Sequence, residues 1–212
     1  MPLVESCCET VEEAVRSAEA GAGRIEFCSA LWCGGLTPLL RDLRAVTRAV
    51  EVPVFALIRP REGDFVFSEA EVTEMRRSID DARGAGAGGV VIGALSADYT
   101  VDTDATTRLM DSAAGLEVTF HKAFDECPDL DAAFEACRLA GVTRILTSGG
   151  AKTALDGVQT LQRLASLAGP SILPGGRVRA GHIHRLVKET GVSEVHARAE
   201  AVPGILAALK EN

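Results

Sequence analysis

No stretch of this chain is apolar over the ~18–20 residues that crossing a bilayer requires. The N-terminus also lacks a basic segment followed by an apolar one, so a cytosolic location is expected. Nor is there a Lys/Arg cluster: 30 acidic side chains outnumber 22 basic ones, and the net charge of −8 speaks against a nucleic-acid surface. Six cysteines are too few for a disulfide scaffold in a chain of 212 residues. They are expected as thiols, packed as small hydrophobes or used as ligands. No linker, low-complexity segment or break in composition divides the sequence, which is expected to form a single domain over residues 1–212.

What the chain does have is repetition. Eight short apolar runs, at 3–7, 24–28, 54–59, 89–92, 116–121, 144–147, 171–173 and 193–196, alternate with stretches of helical spacing. Thr10 with Glu13 and Ser68 with Glu71 read as capping boxes, and Thr37 before Pro38 as another helix start. Gly21, Gly86, Gly141 and Gly191 fall where helices should close. Strand and helix alternating without two adjacent strands means a parallel sheet with helical crossovers. Eight repeats give a TIM-type (β/α)8 barrel, whose chemistry is done where the strands end.

Side chains alternate across a strand, and the outer side of a barrel strand must be apolar under its helix. Val4, Ile25, Phe27, Ile58, Val118, Phe120, Ile145 and Val195 supply that outward register. The opposite register points Glu5, Cys7, Glu26, Cys28, Arg59, Arg61, Thr119, His121, Glu194 and His196 inward. Buried carboxylates persist only when paired or solvated, and the two arginines and two histidines are the expected partners.

Several of these residues could carry chemistry. Cys7 and Cys28 end neighbouring strands, about 4.8 Å apart, and two soft thiolates there suit Cu(I). Cys8 is the candidate third ligand, although alternation turns it away unless the strand has already ended. Cys33, Cys127 and Cys137 have weaker claims, and Cys137 shares a helix face with Phe134. Arg59 and Arg61 could grip a carboxylate or phosphate as paired guanidinium forks. The following segment, residues 62–67, could be a lid or a subunit contact. His121 is an acid–base or metal-ligand candidate, with Lys122 and Asp125 beside it. His196, by barrel closure, returns near Glu5 and Cys7. Ser148, Gly149 and Gly150 after the sixth run, and Gly175 and Gly176 after the seventh, offer backbone amides to an anion.

These blocks in this order resemble the CutC copper homeostasis family over nearly the whole chain. The matching stretches are Leu3-Val4-Glu5-Ser6-Cys7-Cys8, Arg24-Ile25-Glu26-Phe27-Cys28, Gly34-Gly35-Leu36-Thr37-Pro38 and Ile58-Arg59-Pro60-Arg61 with Gly63-Asp64-Phe65. Thr119-Phe120-His121-Lys122-Ala123-Phe124-Asp125, Leu146-Thr147-Ser148-Gly149-Gly150 and Glu194-Val195-His196 complete them. The resemblance implies a TIM-like barrel, a cytosolic homo-oligomer (often a dimer), and Cu(I) at the cysteines corresponding to Cys7, Cys8 and Cys28. The chain departs from the family pattern at Ala197-Arg198-Ala199, where small hydroxyl residues are usual, and at the shorter glycine run Pro174-Gly175-Gly176-Arg177. It also stops at Asn212, without the family's C-terminal extension, so closure is expected to rest on a short helix over 202–209.

Two functions follow as expectations. One is copper handling, with Cys7 and Cys28 as ligands. The other is a barrel enzyme of lyase, isomerase or hydrolase type acting on a small anionic or phosphorylated substrate. In it Arg59, Arg61, Lys122, Asp125 and the glycine turns would bind, Glu5 or Glu26 and His121 would exchange protons, and His196 would polarise or orient.

Overall fold

The computed structural model describes residues 1–211. Among them, eight strands alternate with eight α-helices. The strands are β1 Leu3–Cys8, β2 Arg24–Phe27, β3 Val54–Leu57, β4 Gly89–Ile92, β5 Glu117–Phe120, β6 Arg144–Thr147, β7 Ser171–Pro174 and β8 Glu194–Arg198. The helices are α1 Val11–Ala20, α2 Leu40–Ala49, α3 Glu69–Gly84, α4 Thr103–Ser112, α5 Leu130–Leu139, α6 Val158–Ala165, α7 Ile183–Thr190 and α8 Val202–Lys210. Every ladder is parallel, in the order β7-β6-β5-β4-β3-β2-β1-β8. The strands thus form a nearly closed TIM barrel, with β7 and β8 lying side by side but without a ladder between them among the described residues. Helix α8 packs against α1 and α7, and so takes the closing position expected for 202–209.

Local signals explain the elements. Thr10–Glu13 and Ser68–Glu71 form reciprocal capping boxes at the starts of α1 and α3. Thr37 does not cap α2, which begins at Leu40; its hydroxyl instead accepts from the Arg59 backbone N–H at 2.9 Å. The loop after β2 is thereby fastened to the loop after β3.

Alternation along the strands sorts the interior into two layers. Outward side chains, including Val4, Ile25, Phe27, Ile58, Val118, Phe120, Ile145 and Val195, join the large apolar layer under the helices. Inside the barrel Cys7, Cys28, Phe55, Leu57 and Val91 form a small apolar group, and Leu146 and Leu173 are buried there as well. The lower end of the inside is a chain of ion pairs. Arg24 on β2 pairs with Glu5 and, at 2.7 Å, with Glu194 on β8. Arg144 on β6 takes Glu194 at 2.9 Å and Glu117 at 2.9 Å. The two guanidinium groups stand over the Phe55 ring at 5.0 and 5.3 Å. Gly89 leaves room for that ring, since a Cβ there would lie 2.6 Å from it.

The expected partners of the buried carboxylates were Arg59, Arg61 and the two histidines; His196 does hold Glu5 at 2.7 Å, but neither arginine binds one of them. Arg24 and Arg144 take that part instead, since they share the inward register of Glu26 and Leu146. Glu194 lies between two strands that no ladder joins to it directly: it reaches Arg144 on β6 across the β7/β8 seam. Removing one member of a buried pair leaves an uncompensated charge and costs about 3–5 kcal/mol. Glu194→Gln is therefore expected to lower unfolding free energy by about 3 kcal/mol in urea titration; a change within about 0.5 kcal/mol, as at ordinary surface positions, would contradict this role.

Candidate functional site

The strand ends of β1, β2, β3, β5 and β8 open into a cavity of about 520 Å³ at the C-terminal mouth of the barrel. Cys7, Glu26, Arg59, His121, Lys122 and His196 are among its lining residues. Cys7 on β1 and Cys28 just past the end of β2 bring their sulfurs to 3.9 Å. Cys7 Sγ also donates to Glu26 Oε1 at 3.5 Å. His196 lies across the mouth of the pair: Cys7 Sγ, a Glu26 oxygen and a His196 ring nitrogen are within 4.8 Å of one another.

The charges here are set by neighbours as well as by burial. Burial raises the Glu5 carboxyl, but the His196 hydrogen bond and the Arg24 charge outweigh it and hold its pKa at about 2. Glu5 Oε1 and His196 Nδ1 are 2.7 Å apart. Burial disfavours the imidazolium of His196, yet Glu26, Cys7 and Glu5 push its pKa well above the ordinary value. The Glu26 carboxyl is raised, chiefly by burial. The Cys7 thiol is raised well above its usual range by its hydrogen bond to Cys28, then by burial and by Glu26. Without a cation to bind, Cys7 keeps its proton.

Cys8 is a correction. It faces the helices, not the mouth, packing with Ser6 and Ser17 under α1 at 3.3 and 3.7 Å. Strand β1 continues through Cys8, so alternation turns its sulfur away from Cys7. Only its carbonyl touches the pair, accepting from Cys28 Sγ at 3.6 Å.

Arg59 lines the mouth but serves the loops. Its Nη1 donates to the Cys33 and Gly35 carbonyls and its Nη2 to Gly63, with the guanidinium 4.7 Å from the Phe65 ring. Arg61, expected beside it, turns out of the mouth. Strand β3 ends at Leu57, so the register does not extend to Arg61. Its guanidinium binds Glu71, Asp64 and the Val66 carbonyl, and shapes the loop that precedes α3.

The anion site expected at the turn after β6 is filled by the chain itself. Asp125 receives the Ser148 amide at 3.0 Å, the Gly150 amide at 2.9 Å and the Ser148 hydroxyl at 2.9 Å. Thr147 Oγ1 and Lys122 Nζ bind the same carboxylate. Burial would raise Asp125, but Lys122 and these donors hold it below the usual carboxylate range. The Gly149 amide is taken by the Thr147 hydroxyl. At the next turn the Gly175 amide donates to the Thr147 carbonyl, while Gly176 borders the mouth. Lys122, placed outward by simple alternation, reaches this cluster because a one-turn 3-10 segment, Lys122–Glu126, starts directly after His121.

His121 is held as a neutral ring. Its Nδ1 accepts the Ala123 N–H at 3.2 Å, so in the neutral ring the proton sits on Nε2. Burial, and then the Arg59 charge, lower its pKa to about 3. Gly93, which the sequence reading passed over, makes the bed for this ring: a Cβ there would stand 2.4 Å from Cε1. Its signal was the inward register of β4 continued past Val91. A neutral His121 presents its Nε2–H as a hydrogen-bond donor near neutral pH.

The pH consequence has a definite sign. Below about 6.5 the unfolded chain protonates this histidine while the folded chain does not, until about pH 3. Stability therefore falls with pH through that window, by about 1.4 kcal/mol per unit from this residue. His121→Phe removes the contribution, so its unfolding free energy should drop less steeply than that of the parent between about pH 6 and 5. Parallel curves would contradict a neutral buried His121.

The CutC family model matches residues 2–201. The CutC family protein of Rhizobium meliloti (strain 1021) is 46% identical over 196 residues, which is 92% of this chain and 80% of that protein. The copper homeostasis protein cutC homolog of Homo sapiens is 40% identical over 201 residues, 94% of this chain and 74% of the relative. The crystal structure of the CutC copper homeostasis protein of Streptococcus agalactiae matches with a TM-score of 0.88 at 29% identity, over 94% of this chain and 99% of that one. Barrel enzymes at 13–18% identity share the fold alone. With the barrel, the ordered strand-end residues and these relatives in agreement, the chain belongs to the CutC family.

Proposed function

We propose that this protein handles copper, taking Cu(I) as its cargo at the Cys7–Cys28 pair in the barrel mouth. The observation that carries the reading is the 3.9 Å separation of the two inward sulfurs, close enough to share one soft cation. The names of the human and streptococcal relatives point the same way. The donor set fits the ion: thiolates prefer Cu(I), and a bound cation would reverse the preference of Cys7 for its proton. Two thiolates around one Cu(I) carry a net negative charge beside Glu26. The imidazolium of His196, pinned by Glu5, sits where it offsets that charge. Cys7 and Cys28 are thus the ligands of this reading, and His196 and Glu26 the groups that tune them.

The same proposal takes the chain as a cytosolic homodimer, as the family resemblance implies. Six cysteines, all unpaired among the described residues, suit a reducing compartment. Among those residues no helix is long and apolar enough to cross a membrane.

Competition titration with a Cu(I) chelator under reducing conditions tests the reading. Cys7→Ser and Cys28→Ser should each weaken binding by more than the roughly 10–100-fold that loss of a supporting hydrogen-bond partner costs. His196→Gln should weaken it by about tenfold, and Cys8→Ser should leave it unchanged. Affinity should rise with pH, because each thiol releases a proton on binding. Unchanged affinity in either mouth variant would end the copper reading.

A further inference from the structure

Four buried side-chain polar atoms lack a hydrogen-bond partner among the described residues, and three of them belong to residues lining the mouth. They are Glu26 Oε2, Arg59 Nε and His121 Nε2. Buried polar groups are almost always paired, because leaving one unmade forfeits its hydration without return. One orphan is a local imperfection. Three on three different strand ends, all on residues that line one cavity, form a pattern with chemical content: two N–H donors, one of them cationic, and one carboxylate acceptor.

Neither the fold nor copper accounts for them. Arg59 ties the loops together through Nη1 and Nη2, leaving Nε idle. His121 is fixed by the Ala123 amide through Nδ1, which aims the proton-bearing Nε2 elsewhere. Glu26 engages Cys7 through Oε1 alone. Each of the three residues is at least nine-tenths buried. The cavity, about 520 Å³, is of a size that takes a small organic molecule. Its rim adds Lys122, Arg177, Arg179 and Arg198 against Asp125 and Glu126, and the surplus of basic groups favours a negatively charged guest there.

The geometry points to a second, organic ligand in this mouth: a small hydroxylated anion whose oxyanion accepts from His121 Nε2–H and Arg59 Nε–H while its hydroxyl donates to Glu26 Oε2. A carboxylate and a phosphate share the oxyanion chemistry. The Phe65 ring packs on the His121 ring at 4.8 Å and under the Arg59 guanidinium, closing both donors off from solvent. Entry of the ligand therefore requires Phe65 to swing aside, and the segment 62–67 acts as its cover. The site uses none of the sulfur atoms assigned to copper, and it shares only Glu26 with that reading, so it is tested on the copper-free protein.

The test uses the full chain, copper-free in a reducing buffer with a Cu(I) chelator, labelled with 15N-histidine. Glycerate and glycerol 3-phosphate are titrated against their hydroxyl-free counterparts, propionate and propyl phosphate. The His121 Nε2–H resonance should shift on binding, and the hydroxylated member of one pair should bind about tenfold more tightly than its counterpart. Whichever pair shows the preference assigns the oxyanion as carboxylate or phosphate. His121→Phe should abolish binding, and Glu26→Ala should erase the preference for the hydroxyl. No movement of the His121 resonance with any of the four probes would overturn the inference, showing a trapped water at most. Equal affinity for hydroxylated and hydroxyl-free probes would overturn it as well, and that comparison needs no variant.

Discussion

A single carboxylate, Glu5, joins the two halves of this barrel's interior. One side of it binds Arg24 and enters the ion chain through Glu194 and Arg144 that spans the unladdered β7/β8 seam. Its other side holds His196 Nδ1 at 2.7 Å and so fixes the imidazole beside Cys7. Buried charges are costly unless matched, and here the match needed for closure also supplies the charge environment of the mouth. The arrangement places most of the apolar stabilisation in the outer layer, where β-strands and helices meet.

Much of this was readable before any coordinates. Strict alternation separated Glu5, Cys7, Glu26, Cys28, His121 and His196 from the apolar outward set, because a one-residue slip would have buried charges under the helices. The same rule reached too far at Arg61, since the strand stops at Leu57 and alternation holds only while the chain is extended. At Cys8 the rule was right and the resemblance misleading: the neighbouring position in sequence lies on the other side of the wall. Arg24 and Arg144 carried the signal of an inward parity but sat at strand beginnings, away from the face where function was sought. The glycine turn after β6 was read as a site for a bound anion. What one-dimensional reading lacked was that Asp125, 23 residues earlier than Ser148, would occupy it.

The mouth also holds unmet hydrogen-bonding capacity beside a loop fastened by cation–π contacts, Arg59 on Phe65 and Arg61 on Phe67. Sites of this kind keep polar atoms unsatisfied at some expense of stability, a common trade between activity and robustness. His121 is the clearest instance. Its ring is neutral, fitted against Gly93, and set in one tautomer by a backbone amide.

The claim on which the functional account turns is that two inward thiols at 3.9 Å receive one copper ion. Copper K-edge X-ray absorption of the Cu(I)-loaded chain reads the ligands directly. The account predicts a shell dominated by two sulfur neighbours, lost when Cys7 or Cys28 is replaced by Ser. A first shell of nitrogen and oxygen alone, or a sulfur shell that persists without Cys7 and Cys28, would contradict it.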